Sequence, residues 1–171
     1  AGEGAFRRPA LEAQFGQVLD LPRGRADGGD VLVMPDKALI GLSARTDVAG
    51  AEALIALLAQ LGICGEVAAT PPEVLHLKTA SSLLDEETVL STRALAATGI
   101  FAGYRLIEVP EGEEGGANVL RVNDRVLAGT GFPRILDALD AHGLEVVTLP
   151  NAAIAAIDAG FTCMSLRWRD E

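Results

Sequence analysis

Between Val48 and Leu61, apolar side chains recur at Ala51, Leu54, Ile55, Leu58 and Leu61, the spacing of one helix face, and Gly62 supplies a stop. Two short apolar runs precede that stretch, Val31–Met34 and Ala38–Gly41. Between them sits Pro35-Asp36, a pair suited to a tight turn. A third run, Gly65–Ala69, follows. The pattern predicts two strands, a helix and a closing strand. The same succession returns near the C-terminus. Strands are expected at Val119–Val122 and Arg125–Ala128 around Asn123-Asp124, a helix at Pro133–Ala141 with Ile135, Leu136 and Leu139 inward, and a strand at Leu144–Leu149 after His142-Gly143. A looser copy lies between them. It has a longer hairpin connection, a short helix at about Ser91–Ala97 ending at Gly99, and a strand at Tyr104–Val109.

Laying the chain against itself makes the repeat explicit. DVLVMPDKALIGL begins at Asp30, EVLHLKTASSLLDEETVLS at Glu73, NVLRVNDRVLAGTGF at Asn118 and TCMSLRWRD at Thr162, at spacings of 43, 45 and 44 residues. The expected architecture is a single α/β domain over residues 1–171, built of ββαβ units at 30–72, 73–117 and 118–161. Partial units at 1–29 and 162–171 contribute one strand each, Gln17–Leu21 and Thr162–Trp168. One such unit cannot bury both faces of its sheet; several stacked around an axis can. At roughly 44 residues per unit, 171 residues hold just under four units. That is few for a closed ring, so the propeller is expected to be incomplete.

Composition changes this picture little. A 49% hydrophobic content is enough for a core, and the net charge is −10, from 24 acidic and 14 basic residues. That balance argues against a phosphate-binding groove and suits a cationic ligand or plain solubility. Aromatics at 4% leave no stacking platform for single strands or sugars. No apolar run approaches the ~18 residues of a membrane span. Two cysteines, Cys64 and Cys163, are too few for a disulfide framework, and the N-terminus lacks an apolar leader, so a reduced, cytoplasmic protein is the default. The Cys, His and acidic residues lack metal-site spacing, so no metal is expected.

Few residues can carry covalent chemistry. Cys163 lies in GFTCMSLR, after Asp158-Ala159-Gly160 at the predicted start of a strand. It reads either as a thiol reaching a cleft or as a buried structural cysteine. His76, in VLHLKT, reads either as a satisfied strand histidine or as a base. Asp27-Gly28-Gly29-Asp30 puts two carboxylates around a Gly-Gly turn, facing a ligand or merely solvent. Position favours the chemical readings. Asp27, His76 and Cys163 all fall close to the repeat origins, and equivalent strand ends converge on the axis of a radial repeat. Thiol, imidazole and carboxylate would then meet. Cys64 is expected to be buried and inert, Glu111–Glu114 to form a solvated loop, and His142 to sit at a helix C-terminus without a catalytic role.

Together the segments DGGDVL (27–32), GLSARTD (41–47), LHLKT (75–79), ANVLRVN (117–123), GFPR (131–134) and FTCMSLR (161–167) resemble the dimethylarginine dimethylaminohydrolases. These belong to the guanidino-group-modifying superfamily that includes the arginine deiminases. Lys78 in HLKT is more similar to the former, since arginine deiminases carry an acid there. The resemblance implies a pentein fold, a five-module ββαβ propeller. It implies Cys163 as nucleophile, His76 as acid and base, and Asp27 as the acid that orients the guanidinium. Arg45 would hold the substrate's α-carboxylate, with Asp30 and Arg8 as further substrate-binding residues, and Asn118 would be structural. The implied reaction takes a methylated arginine to citrulline and a methylamine through a Cys163 thiouronium intermediate, with no cofactor. The partner would be a small cationic substrate, with no nucleic acid or membrane and a homodimer left open.

Departures accompany the likeness. The family carries a further N-terminal module with a Phe-and-Asp motif that grips the guanidinium. Here only Phe6-Arg7-Arg8 with Glu12 offers a loose match upstream. Asn151-Ala152-Ala153 and Ala155 replace polar residues of the family, and Asp47 replaces an Asn. Two alternatives therefore stand beside the hydrolase: a non-catalytic guanidine-binding remnant or half of a complementing pair, and an arginine deiminase-like amidinohydrolase.

Overall fold

The computed structural model describes residues 3–157 and 159–167. After an N-terminal helix, α1 (Glu3–Gln14), three sheets follow one another, each made the same way. In the first, β1 (Val31–Val33) pairs antiparallel with β2 (Ala38–Leu42). Helix α2 (Val48–Gln60) then crosses over, and β3 (Gly65–Ala69) pairs parallel with β2 from Ala38↔Gly65 to Leu42↔Ala69. The second repeats this with β4 (Ser81–Leu83), β5 (Thr88–Ser91), α3 (Arg93–Ala96) and β6 (Arg105–Glu108). The third does so with β7 (Leu120–Val122), β8 (Arg125–Gly129), α4 (Pro133–Ala141) and β9 (Glu145–Leu149). A short helix, α5 (Ala152–Ala155), ends the regular structure. The predicted ββαβ unit is thus present three times.

Local chemistry explains the repetition. Gly62, Gly99 and Gly143 follow the three crossover helices with φ of 73°, 77° and 80°, a left-handed stop that costs a residue without Cβ little. Asp47 starts α2, its Oδ1 accepting the Gly50 N–H at 2.7 Å. Asn123, at φ 57°, turns the two-residue hairpin between β7 and β8.

The units do not keep separate cores. Leu32, Met34 and Leu39 of the first unit pack with Leu77, Val89, Leu95 and Phe101 of the second. Leu84 and Leu90 of the second pack with Val119, Val126, Ile135 and Leu139 of the third. Each fully buried leucine or phenylalanine stabilises the fold by roughly 1.5–3 kcal/mol. Every junction also carries a polar staple. The Tyr104 hydroxyl, just before β6, donates to Asp36 in the turn between β1 and β2. Burial and that carboxylate push the Tyr104 hydroxyl up to about 12, and the same bond holds Asp36 below the usual carboxylate range. One unit later, the His142 ring lies 3.0 Å from Asp85 in the turn between β4 and β5. Burial would raise the Asp85 carboxyl, but the bonds from His142, Glu87 and Thr88 outweigh it and bring it down to about 2.

Several expectations are corrected. Gln17–Leu21 pairs with no strand. Thr162 onward forms turns and irregular chain to Arg167 rather than a strand, and Trp168 and Asp158 lie outside the described residues. Both segments have strand-like patterns but no neighbouring strand to bond among the described residues. The first strand of the second unit is Ser81–Leu83, later than the LHLKT reading, because Leu77–Thr79 curls into a 3-10 turn. The middle helix is shortened to Arg93–Ala96, since Ser91 ends β5 and Thr92 is the cap. Cys64 is exposed, not buried; its carbonyl accepts the Ala38 N–H at 2.7 Å, so its backbone, not its thiol, enters the sheet.

Candidate active site

The site begins in the DGGD segment. Asp27 caps a 3-10 turn over Gly28–Asp30, its Oδ1 accepting the Gly29 N–H at 2.7 Å. A Cβ on Gly29 would lie 3.0 Å from both Asp27 Oδ1 and His76 Cγ, so a glycine here lets the acid and the imidazole approach. The buried His76 ring has its Nε2 3.6 Å from Asp27 Oδ1, and that nitrogen has no hydrogen-bond partner among the described residues. The Thr79 hydroxyl fixes the His76 backbone, accepting its N–H at 3.2 Å and donating to its carbonyl at 2.7 Å. In LHLKT, Leu77 is core, His76 leads the turn and faces Asp27, and Thr79 ties its hydroxyl back to the His76 backbone.

Lys78 stands two residues after His76. Burial holds its ammonium below the usual lysine range; the charge of Cys163 opposes that shift, Arg167 reinforces it, and Asp27 and Asp30 oppose it. Cys163 is exposed, on a turn closed by its N–H to the Gly160 carbonyl at 3.0 Å. Asn118 Oδ1 braces the turn by accepting the Thr162 N–H at 3.2 Å, and a Cβ on Gly160 would fall 2.3 Å from Asn118 Cγ. This contact is a structural one, the kind of role the resemblance implied for Asn118.

One expected ligand contact is not available as read. Asp30 is 0% exposed, and both its oxygens are taken: Oδ2 by Ser43 Oγ (2.6 Å) and Thr46 Oγ1 (2.7 Å), Oδ1 by the Leu77 N–H (3.2 Å). A carboxylate with three protein donors and no surface cannot reach a ligand. Arg8, on α1, pairs with Glu12 at 2.8 Å and Asp20 at 2.6 Å. Arg45 is exposed, and its guanidinium forms no ion pair among the described residues.

Glu113 was missed. It lies in the stretch read as a solvated loop, yet it is buried. Its carboxylate accepts the N–H groups of Arg134 (3.2 Å) and Ile135 (2.9 Å) and the Arg134 side chain (3.1 Å), closing the N-terminus of α4. Asp27, His76 and Glu113 are the lead residues of the three 3-10 turns, at Gly28–Asp30, Leu77–Thr79 and Glu114–Gly116. That equivalence escapes a strand-based alignment.

A cavity of about 770 Å³ is lined in part by Leu75 and Thr79, on either side of His76 in sequence. Thr92, Asn118, Ile154 and Phe161 also help to line it, whereas Asp27, His76 and Cys163 do not. Among the described residues, no group of three or more His, Cys, Asp or Glu side chains could hold a metal ion. No helix there is long and apolar enough to cross a membrane.

The family model for arginine deiminase matches residues 5–115. The chain belongs to the arginine deiminase family. Within it, the similarity runs to the dimethylarginine dimethylaminohydrolases. The Pseudomonas aeruginosa enzyme of that name is 35% identical over 145 residues, covering 85% of this chain and 57% of that protein. The Streptomyces coelicolor one is 34% identical over 149 residues, covering 86% and 56%. The chain thus spans a little over half the length of these curated relatives. A solved structure of the P. aeruginosa protein, a cysteine-to-serine variant complexed with citrulline, matches with a TM-score of 0.92 at 32% identity. It covers 98% of this chain and 66% of that one. An amidinotransferase from Microseira wollei, at 17% identity and a TM-score of 0.81, shares the mixed α/β fold.

Proposed function

We propose that this chain hydrolyses a methylated arginine, asymmetric dimethylarginine or monomethylarginine, to citrulline and a methylamine. The observation that carries the reading is the buried His76 ring, its Nε2 3.6 Å from Asp27 Oδ1, in a chain whose Cys163 thiol is exposed. The similarity to dimethylarginine dimethylaminohydrolases, one solved with citrulline, supports the substrate class.

In this mechanism the Cys163 thiolate attacks the guanidinium carbon, forming a C–S bond. The adduct collapses with loss of the methylamine, which takes a proton from His76. His76 then removes a proton from water, which adds to the thiouronium carbon. Breakage of the C–S bond returns the thiolate and releases citrulline. Asp27 faces the ring nitrogen, compensates an imidazolium and presents its free lone pairs to a guanidinium N–H. Arg45, exposed and without an ion pair among the described residues, is suited to the α-carboxylate. The three units with shared cores support a propeller arranged around this site, with a small cationic substrate as partner.

A citrulline assay at high protein concentration, with both methylarginines and with arginine, tests the proposal. Turnover of a methylarginine is expected, and none from any of them would overturn it. Preference for arginine would instead favour a deiminase. A guanidine-binding remnant or half of a complementing pair is the second reading, favoured by the exposure of Cys163. Saturable binding of arginine analogues by calorimetry, without citrulline, would select it.

A further inference from the structure

We propose that Thr46 and Asp30 form a positioning clamp that sets the contact between Asp27 and His76. This rests on the reading that the pair performs the acid–base steps. The two residues belong to different units, and no ladder of sheet hydrogen bonds joins those units. Their spacing must be fixed by something else. The buried Asp30 carboxylate reaches both. Its Oδ1 accepts the N–H of Leu77, the residue after His76, at 3.2 Å. Its Oδ2 accepts the Thr46 hydroxyl at 2.7 Å, and that hydroxyl in turn accepts the Asp27 N–H at 2.9 Å. One carboxylate thus holds the backbone of the imidazole directly and that of the acid through a single hydroxyl.

The chemistry makes Thr46 specific. Its oxygen must donate and accept at once, which a hydroxyl does and a methyl does not. Thr46 is 1% exposed, so water does not replace it without opening the packing. Ser43 gives an internal control. It donates to the same Oδ2 at 2.6 Å and accepts the backbone N–H groups of Arg45 (3.0 Å) and Thr46 (3.2 Å), but it has no bond to Asp27. Its loss loosens the carboxylate and the Thr46 backbone but leaves the hydroxyl that links Asp30 to the acid, so its effect should be the smaller one.

The test compares Thr46→Val, Thr46→Ser and Ser43→Ala in the full chain. The chain has two histidines, so ring NMR signals separate His76 from His142, which serves as reference. In Thr46→Val, and less in Ser43→Ala, the His76 ring signals are expected to move while those of His142 stay. kcat should fall about tenfold with KM within about twofold, and the kcat/KM profile should shift by about half a pH unit. Thr46→Ser restores all of these. Unmoved His76 signals in Thr46→Val, or an equal displacement in Ser43→Ala, would overturn the clamp. Should Thr46→Val not fold, Thr46→Ala carries the same comparison, and rescue by serine alone decides it. The NMR arm needs no turnover. An inactive wild type with His76 signals that respond to Thr46 would overturn the hydrolase reading and leave the clamp standing.

Discussion

The junction between the first two units and the turn bearing Cys163 supply different parts of the proposed chemistry, and they are built to different standards. At the junction, Asp30 and Leu77 are 0% exposed, and the carboxylate has three donors. Around Cys163, Met164 and Leu166 are 65% and 64% exposed, and the segment is held by the Asn118 bond, a Ser165 hydroxyl bond to the Thr162 carbonyl, an Arg167 bond to the Arg121 carbonyl and a few backbone bonds. The imidazole and its acid are held by a buried network before any ligand arrives. The thiol is presented on a segment with little packing behind it. Orienting groups need a fixed geometry, and cores provide one. A nucleophile must be reached, and access here comes at the expense of burial.

The comparison can be broken or sharpened by experiment. Cys163→Ser is expected to lower citrulline formation by more than about a thousandfold while leaving the urea unfolding midpoint in place, because an exposed thiol contributes little packing. Retained activity would move the nucleophile elsewhere. For stability the order reverses. Leu77→Ala should cost about 2–5 kcal/mol in urea unfolding, and Met164→Ala should stay within about 0.5 kcal/mol. Equal costs would mean that the Cys163 turn is as well packed as the junction. Asn118→Ala should lower activity about tenfold and stability by about 1 kcal/mol, since it frees a part-buried N–H of the turn.

The smallest expected effect concerns pH. The Asp85 carboxyl, at about 2, lies below its unfolded value near 4. Its contribution is therefore fully present above about pH 4 and disappears as the pH falls through about 2. With its side chain 31% exposed, that contribution is on the order of 1–2 kcal/mol. Asp85→Asn should lower stability by that amount at pH 7 and by almost nothing at pH 2, measured by urea titration at both values.

Much of the fold was legible because its signals are local. Helical spacing from Val48 to Leu61, the Pro35-Asp36 and Asn123-Asp124 turns and the three helix-ending glycines each act within a few residues. What was hidden depends on partners distant in sequence. The EVLHLKT segment mimics the first strand until the Thr79 hydroxyl captures the His76 backbone and delays β4 to Ser81. Glu113 looks like one acid in a charged run until α4 brings two orphan N–H groups to it. Asp30 looks like a ligand-facing carboxylate until Ser43, Thr46 and Leu77 close over it. The convergence of Asp27 and His76 was readable from the repeat, although the equivalent positions are turn caps rather than strand residues.

The staples at the unit junctions give the array a direction. Each joins an acid in one hairpin turn to a side chain just ahead of the next unit's closing strand, Asp36 to Tyr104 and Asp85 to His142. Such a contact is heterologous: its two halves differ, so units joined through it form a row with unlike ends. At one end the turn Asn123-Asp124 offers an acid that holds no side-chain partner among the described residues. At the other, Cys64 stands exposed just before β3, where the later units place a staple residue. A circular permutant that moved the third unit ahead of the first would have to join an acid to a thiol at the new seam. The order of these units along the chain is therefore a chemical property of their edges.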